Sequence, residues 1–281
     1  MKNRLRRFVQ LWIDLFAKHE LLDHASAIAF QVLKSMIPLT LLGLAVLGAS
    51  GEQHVWRKTI APSIKAHVQQ PTFHAIDSAV EKIFTTDSTG LILFASLLSL
   101  WYISGAVRAV IGALNQIYET EDKRRWPVRY AISFALAGGI ALGVIGALLT
   151  TVLLGRVGGG GLKIVAEVGR WILAIGLLAL ALGLLVRFAP ARHRSNKWIG
   201  AGTALVIVSW IGATLIYDLL VTHLLNFKTA TGSLAVFLVT IGYVYTSSIV
   251  LLVGLELDEL LREDATAGQR GVLEILFGYG K

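Results

Sequence analysis

Lys34 stands four residues before Pro38 in HASAIAFQVLKSMIPLTLLGLAVLG, a stretch apolar enough to cross a bilayer. An ammonium at mid-bilayer costs roughly 2.5 to 3.5 kcal/mol on insertion scales, so it must face a partner, water or the interface. Arg108 raises the same question in SLWYISGAVRAVIGALNQIYE. Cations sharing a polar recess can hold an anionic group. The guanidinium would grip a phosphate or carboxylate through two parallel bonds, Lys34 would add a movable charge, and Asn115 and Gln31 would orient the ligand. Carboxylates and imidazoles can instead relay protons, and Glu256, Asp258, Asp218 and His24 are the candidates. A plainer alternative has Lys34 reaching the interface along its own stem, while Arg108 and Asn115 satisfy helix ends and carbonyls.

Those side chains need helices to carry them. His24, Gln31, Lys34 and Ser35 fall near one helical face, because steps of seven, three and four residues return almost to the same direction. Pro38 frees the carbonyl of Lys34 itself, so a hinge at Pro38 would coincide with the charge. At about 1.5 Å per residue, Lys34 is expected about 13 Å from an inner end at Ala25 and Arg108 about 15 Å from one at Tyr118. The two would then share a depth, and an extended Lys34 would reach Glu256, which holds it when the site is empty. Asp218 lies near the outer end of its helix, too far for a direct pair.

Of 281 residues 55% are hydrophobic and 16% charged, with a mean hydropathy of +0.66. That balance excludes an ordinary soluble domain and predicts an all-α polytopic membrane protein. The apolar runs are continuous, not alternating, which argues against a β-barrel. Six segments are long enough to span: 25–49, 90–118, 128–154, 165–188, 198–221 and 233–257. With the amino terminus inside, 16 of the 26 Lys and Arg residues fall in inner segments and 8 in outer ones, so both termini are expected in the cytoplasm. The net charge of +8 then follows from topology and requires no nucleic acid.

Three units result: residues 1–24 as an amphipathic helix lying in the inner interface, 25–258 as the six-helix membrane domain, and 259–281 as a cytoplasmic tail. In the first, Leu5, Phe8, Trp12 and Phe16 face one way and Arg4, Arg7, Asp14 and Lys18 the other. Interruption of the apolar run by Asp14, Lys18, His19 and Glu20 predicts that this start is retained. The outer loop, 51–89, reads as two amphipathic helices separated by Pro71. Its three histidines match no compact metal motif, and no metal or cofactor is expected. Gly139 and Gly143 form a GxxxG face suited to a helix contact or a homo-oligomer. The run Gly158–Gly161 reads as a flexible outer turn.

HASAIAFQVLKSMIPL, SLWYISGAVRAVIGALNQIYE, RFAPARHRSNKWIGAGTALVIVSW and TGSLAVFLVTIGYVYTSSIVLLVGLEL together resemble the YihY/BrkB family of bacterial inner-membrane proteins. The likeness covers nearly the whole chain. Phe30, Tyr243 and Thr231 depart from the family's usual aromatics, and Lys34 stands where the family is commonly apolar. The resemblance implies a six-helix inner-membrane protein associated with transport or envelope maintenance. Members have also carried the label ribonuclease BN, but a nuclease needs clustered carboxylates or histidines to hold metals beside a phosphate, and the seven His here are scattered. Absence of cysteine removes thiol chemistry and disulfides. No HExxH, GxSxG or nucleotide-binding motif is present, so the protein is expected not to be an enzyme. The leading expectation is a transporter or flippase-like exporter of an anionic or amphipathic envelope molecule, with membrane lipids and an anionic solute or headgroup as partners. The alternative is a membrane scaffold that does not transport.

Overall fold

The computed structural model describes residues 2–67, 69–86, 88–154, 200–224 and 230–267, with single positions and short stretches between 169 and 188. Most of the fourth expected span and the glycine run 158–161 lie outside the described residues. Every described element is helical. Helix α1 is Lys2–Lys18 and α2 is Leu21–Ala49. After α2 come α3 (Gln53–Val55), a π turn at Trp56–Ile60, α4 (Ala61–His67) and α5 (Gln70–Thr85). The long helices α6 (Ser88–Ile117), α7 (Trp126–Leu154), α8 (Ala201–Leu219) and α9 (Ala230–Ala267) follow.

Among the described residues four helices are long and apolar enough to cross a membrane: Leu21–Ala49, Thr89–Ile117, Gly202–Thr222 and Leu234–Arg262. Their outward faces stay apolar, with Ile37 77% and Leu97 70% exposed. Water would not tolerate so much continuous exposed hydrocarbon, and lipid does. This is a membrane protein. Helix α7 coincides with the third expected span, while α9 continues past Leu257 to Ala267.

The core forms where α2, α6 and α9 meet. Leu21 and Ile28 from α2, Val107 and Leu114 from α6, and Leu252 and Leu255 from α9 are all buried there. Helix α7 packs on the other side of α6, and α8 lies along α9. Two close approaches explain that last contact. A methyl on Gly202 would fall on the Gly254 carbonyl, and one on Gly254 would meet Val206. Asp258 then accepts from Gly202 N at 2.7 Å, Thr203 N at 3.0 Å and the Thr203 hydroxyl at 3.1 Å. A carboxylate from α9 thus caps the amino-terminal end of α8, where unpaired N–H groups and the helix dipole favour an anion.

The connection between α2 and α6 has its own small core of Trp56, Ala61, Phe73 and Val80. Trp56 Nε1 donates to Asp77 at 2.9 Å, and Arg57 pairs with Glu81 at 3.0 Å. Pro71 occupies the first turn of α5, where its missing N–H costs nothing.

Candidate functional site

Helices α2 and α6 run antiparallel in a fixed register. His24 Cε1 lies 3.9 Å from where a Gly112 methyl would stand, Gln31 Oε1 3.0 Å from that of Gly105, and Lys34 Nζ 5.0 Å from the Tyr102 ring centre. Each step up α2 matches an equal step down α6. Glycines at 105 and 112 therefore have a specific use, since they leave room for the polar side chains that α2 presents to α6.

Gly105 is the centre of the constellation. The position of its absent methyl is 3.0 Å from Gln31 Oε1 and 3.6 Å from Arg108 Nη2. Arg108 Nη1 donates to Ser104 Oγ at 2.9 Å, and Ser104 donates in turn to the Trp101 carbonyl at 2.7 Å. The guanidinium lies over Tyr130 of α7, 4.4 Å from the ring centre. Trp101 and Phe134 stack 6.0 Å apart beside it. Arg108 thus occupies a half-buried crevice on α6, flanked by Gln31 of α2 and Tyr130 of α7. Of its five N–H donors, only those directed at Ser104 meet a described acceptor.

Lys34 is half-buried between two rings, with its ammonium 5.0 Å from Phe30 as well as from Tyr102. Ring faces stabilise a cation without neutralising it. No described carboxylate pairs with Lys34 or Arg108.

Two expectations about these cations need correction. They do not share a depth. In the observed register Lys34 is level with Tyr102, six residues beyond Arg108, or about 9 Å along the helix axis. Ala25 is level with Ile111 and not with Tyr118, a shift of about seven residues, of which the start of α2 at Leu21 supplies about four. Nor does Lys34 meet Glu256. That carboxylate is 1% exposed and its Oε2 lies 2.9 Å from Nδ1 of buried His19. His19 Nε2 faces Glu119 Oε1 at 3.8 Å, and Lys18 closes the group on Glu119. The Lys18 ammonium, as hydrogen-bond donor and then as charge, holds the Glu119 carboxyl below the usual carboxylate range.

The other candidates scatter. Asp258 is the α8 cap described above. Asp218 is exposed near the far end of α8, where the Thr222 hydroxyl lies 3.5 Å away. His24 faces Gly112, two turns from Gly105. Asn115 is half-buried near the carboxyl-terminal end of α6, and its carbonyl accepts from Thr120 N at 2.9 Å. Pro38 is buried in a helix that continues through it to Ala49. Among the described residues no three His, Asp or Glu side chains are placed to hold a metal ion. Tyr102, Tyr130, His19 and Glu119 are the neighbours that sequence reasoning missed. Only the Trp126 to Tyr130 spacing at a helix start carried a signal, that of an interfacial aromatic band.

The family model described as Virulence factor BrkB matches residues 13–273. The ribonuclease-like protein YfkH of Bacillus subtilis (strain 168) is 22% identical over 268 residues, which is 91% of this chain and 95% of that protein. No solved structure matches.

Proposed function

From the premise that the chain belongs to the BrkB family, we propose that it is a transporter or flippase-like exporter of an anionic or amphipathic envelope molecule in the bacterial inner membrane. It has six spans and cytoplasmic termini in this reading. The four apolar helices, α7 and the segment 165–188 make up the six, and the excess of Lys and Arg in inner segments sets the orientation.

One observation carries the proposal: two half-buried cations on the α2–α6 seam rest on aromatic rings and have no described counter-charge. A headgroup phosphate or carboxylate would take the unused donors of Arg108, with Gln31 beside it, while an apolar tail stays in lipid. Lys34 offers a second foothold farther along the seam. The Bacillus relative is called ribonuclease-like; the side chains gathered here fit anion binding.

Reconstituted vesicles test this. A fluorescent anionic phospholipid should cross wild-type membranes faster than protein-free ones. Arg108→Ala should slow it about tenfold or more, the worth of a lost charge-assisted hydrogen bond, with a smaller loss for Lys34→Ala. Unchanged flux in both variants would remove the proposed site.

A specific observation favours a second reading, the scaffold. A methyl on either Gly139 or Gly143 of α7 would meet no described atom within 4 Å. Such a small-residue face suits a helix of a second copy.

A further inference from the structure

The turn from α1 into α2 encloses a groove of about 740 Å³ lined by Trp12, Ile13, Phe16, Ala17, Glu20, Leu22 and Asp23. One wall is aromatic, with Trp12 and Phe16 edge to face at 6.2 Å. The rim is acidic. Glu20 and Asp23 are both exposed, and neither carboxylate meets a described donor.

Backbone geometry sets this rim. Glu20 is left-handed, with φ 47° and ψ 41°, and its carbonyl accepts from both Asp23 N and His24 N at 3.1 Å. A left-handed residue would be held more cheaply by glycine or asparagine. Here a glutamate is kept, its neighbour His19 turned inward onto Glu256 and its own side chain turned out at the groove. Above the groove, the outward stripe of α2 is apolar: Leu22, Phe30 and Ile37 are all exposed. The elbow thus has carboxylates where α2 begins and hydrocarbon along the helix that rises from it.

We propose that this elbow binds a phospholipid with a primary ammonium headgroup, its ammonium held by Glu20 and Asp23 and its acyl chain laid against Phe16, Leu22 and the outward face of α2. Charge complementarity selects the occupant. Two carboxylates repel an anionic headgroup, and a primary ammonium offers three N–H donors that a quaternary one lacks. The site is separate from the Arg108 crevice and stands whether or not that crevice transports anything.

Lipid nanodiscs carrying a minor fraction of brominated-chain phosphatidylethanolamine, phosphatidylcholine or phosphatidylglycerol test it. Quenching of Trp12 is isolated as the difference between the wild type and Trp12→Phe. The ethanolamine lipid should be enriched at Trp12 about two- to tenfold over either alternative, the range that two exposed ion pairs supply. Glu20→Gln combined with Asp23→Asn should abolish the preference while leaving the helical circular dichroism unchanged. Equal quenching by all three lipids, a preference for the glycerol lipid, or a preference that survives the double substitution would each overturn the assignment.

Discussion

Gly254→Ala should loosen α8 from α9, and the size of the effect can be worked from the crossing. The added methyl would lie 2.7 Å from the Gly202 carbonyl oxygen and closer still to Val206 Cγ2. Neither neighbour can yield alone, because one is backbone and the other is a β-branched side chain 1% exposed. The helices must move apart. Overpacking of this kind costs about 1–3 kcal/mol. Asp258 lies one turn farther along α9, and its bonds to Gly202 N and Thr203 N lengthen with the same movement. A weakened cap adds about 0.5–2 kcal/mol. The expected loss is therefore about 1.5–5 kcal/mol, measured as the shift in the reversible unfolding equilibrium in mixed micelles. Val206→Ala alone should cost about 1–2 kcal/mol through lost burial. In the double variant the two losses should fall short of additivity by about 1 kcal/mol, because the second substitution removes one wall of the clash. A Gly254→Ala protein within about 0.5 kcal/mol of wild type, the range of an indifferent surface change, would refute the close approach. Strict additivity would refute the role given to Val206.

The Lys18 and Glu119 contact should depend on pH in one direction. The folded Glu119 carboxyl is held below its ordinary 4.5, so its contribution is fully present above pH 4.5 and is lost as pH falls through the lower, folded value. Trp12 fluorescence, on the helix that Lys18 ends, should report a transition below pH 4.5 that Lys18→Ala removes; a transition identical in the variant would separate the two. The chain has no cysteine, which makes cross-linking clean. Gly139→Cys should form an oxidised dimer in native membranes, and a companion Gly143→Leu change should suppress it; a monomer under oxidising conditions would remove the scaffold reading.

Composition made the apolar helices legible, because a 20-residue run of hydrocarbon has few other places to go. The runs expected from Ala25 and Gly90 correspond to helices starting at Leu21 and Ser88. The small shift matters more than its size implies. The start of α2 one turn earlier, together with a further offset of the two helices, changed which residue of α6 faces Lys34, and with it the relation between the two cations. Partners across a helix pair depend on register and rotation, and a polar stripe broken by Gly105 and Gly112 specifies neither. His19 shows the limit from the other side. In the sequence it only interrupts an apolar run, whereas the left-handed Glu20 beside it swings the chain so that the imidazole is buried against Glu256. Asp258 was legible as an acid at the end of a span. Its use as a cap on another helix was not, since nothing local to it names Gly202 and Thr203.

The register also limits how the two cations can act. Separated by about 9 Å along the seam, Lys34 and Arg108 would, on the proposed reading, form successive footholds and not one clamp. Their partners make that arrangement effective. A carboxylate beside either would have cancelled the charge and closed the position to an anion, at the further expense of desolvating an ion pair. Tyr102, Phe30 and Tyr130 instead stabilise each cation through the ring face and leave its net charge intact. A ring is apolar at its edge, so the same side chains keep the crevice compatible with lipid tails. Retention of charge and spacing along the α2–α6 seam are the two properties that the proposed movement of an anionic amphipath, headgroup first, would require.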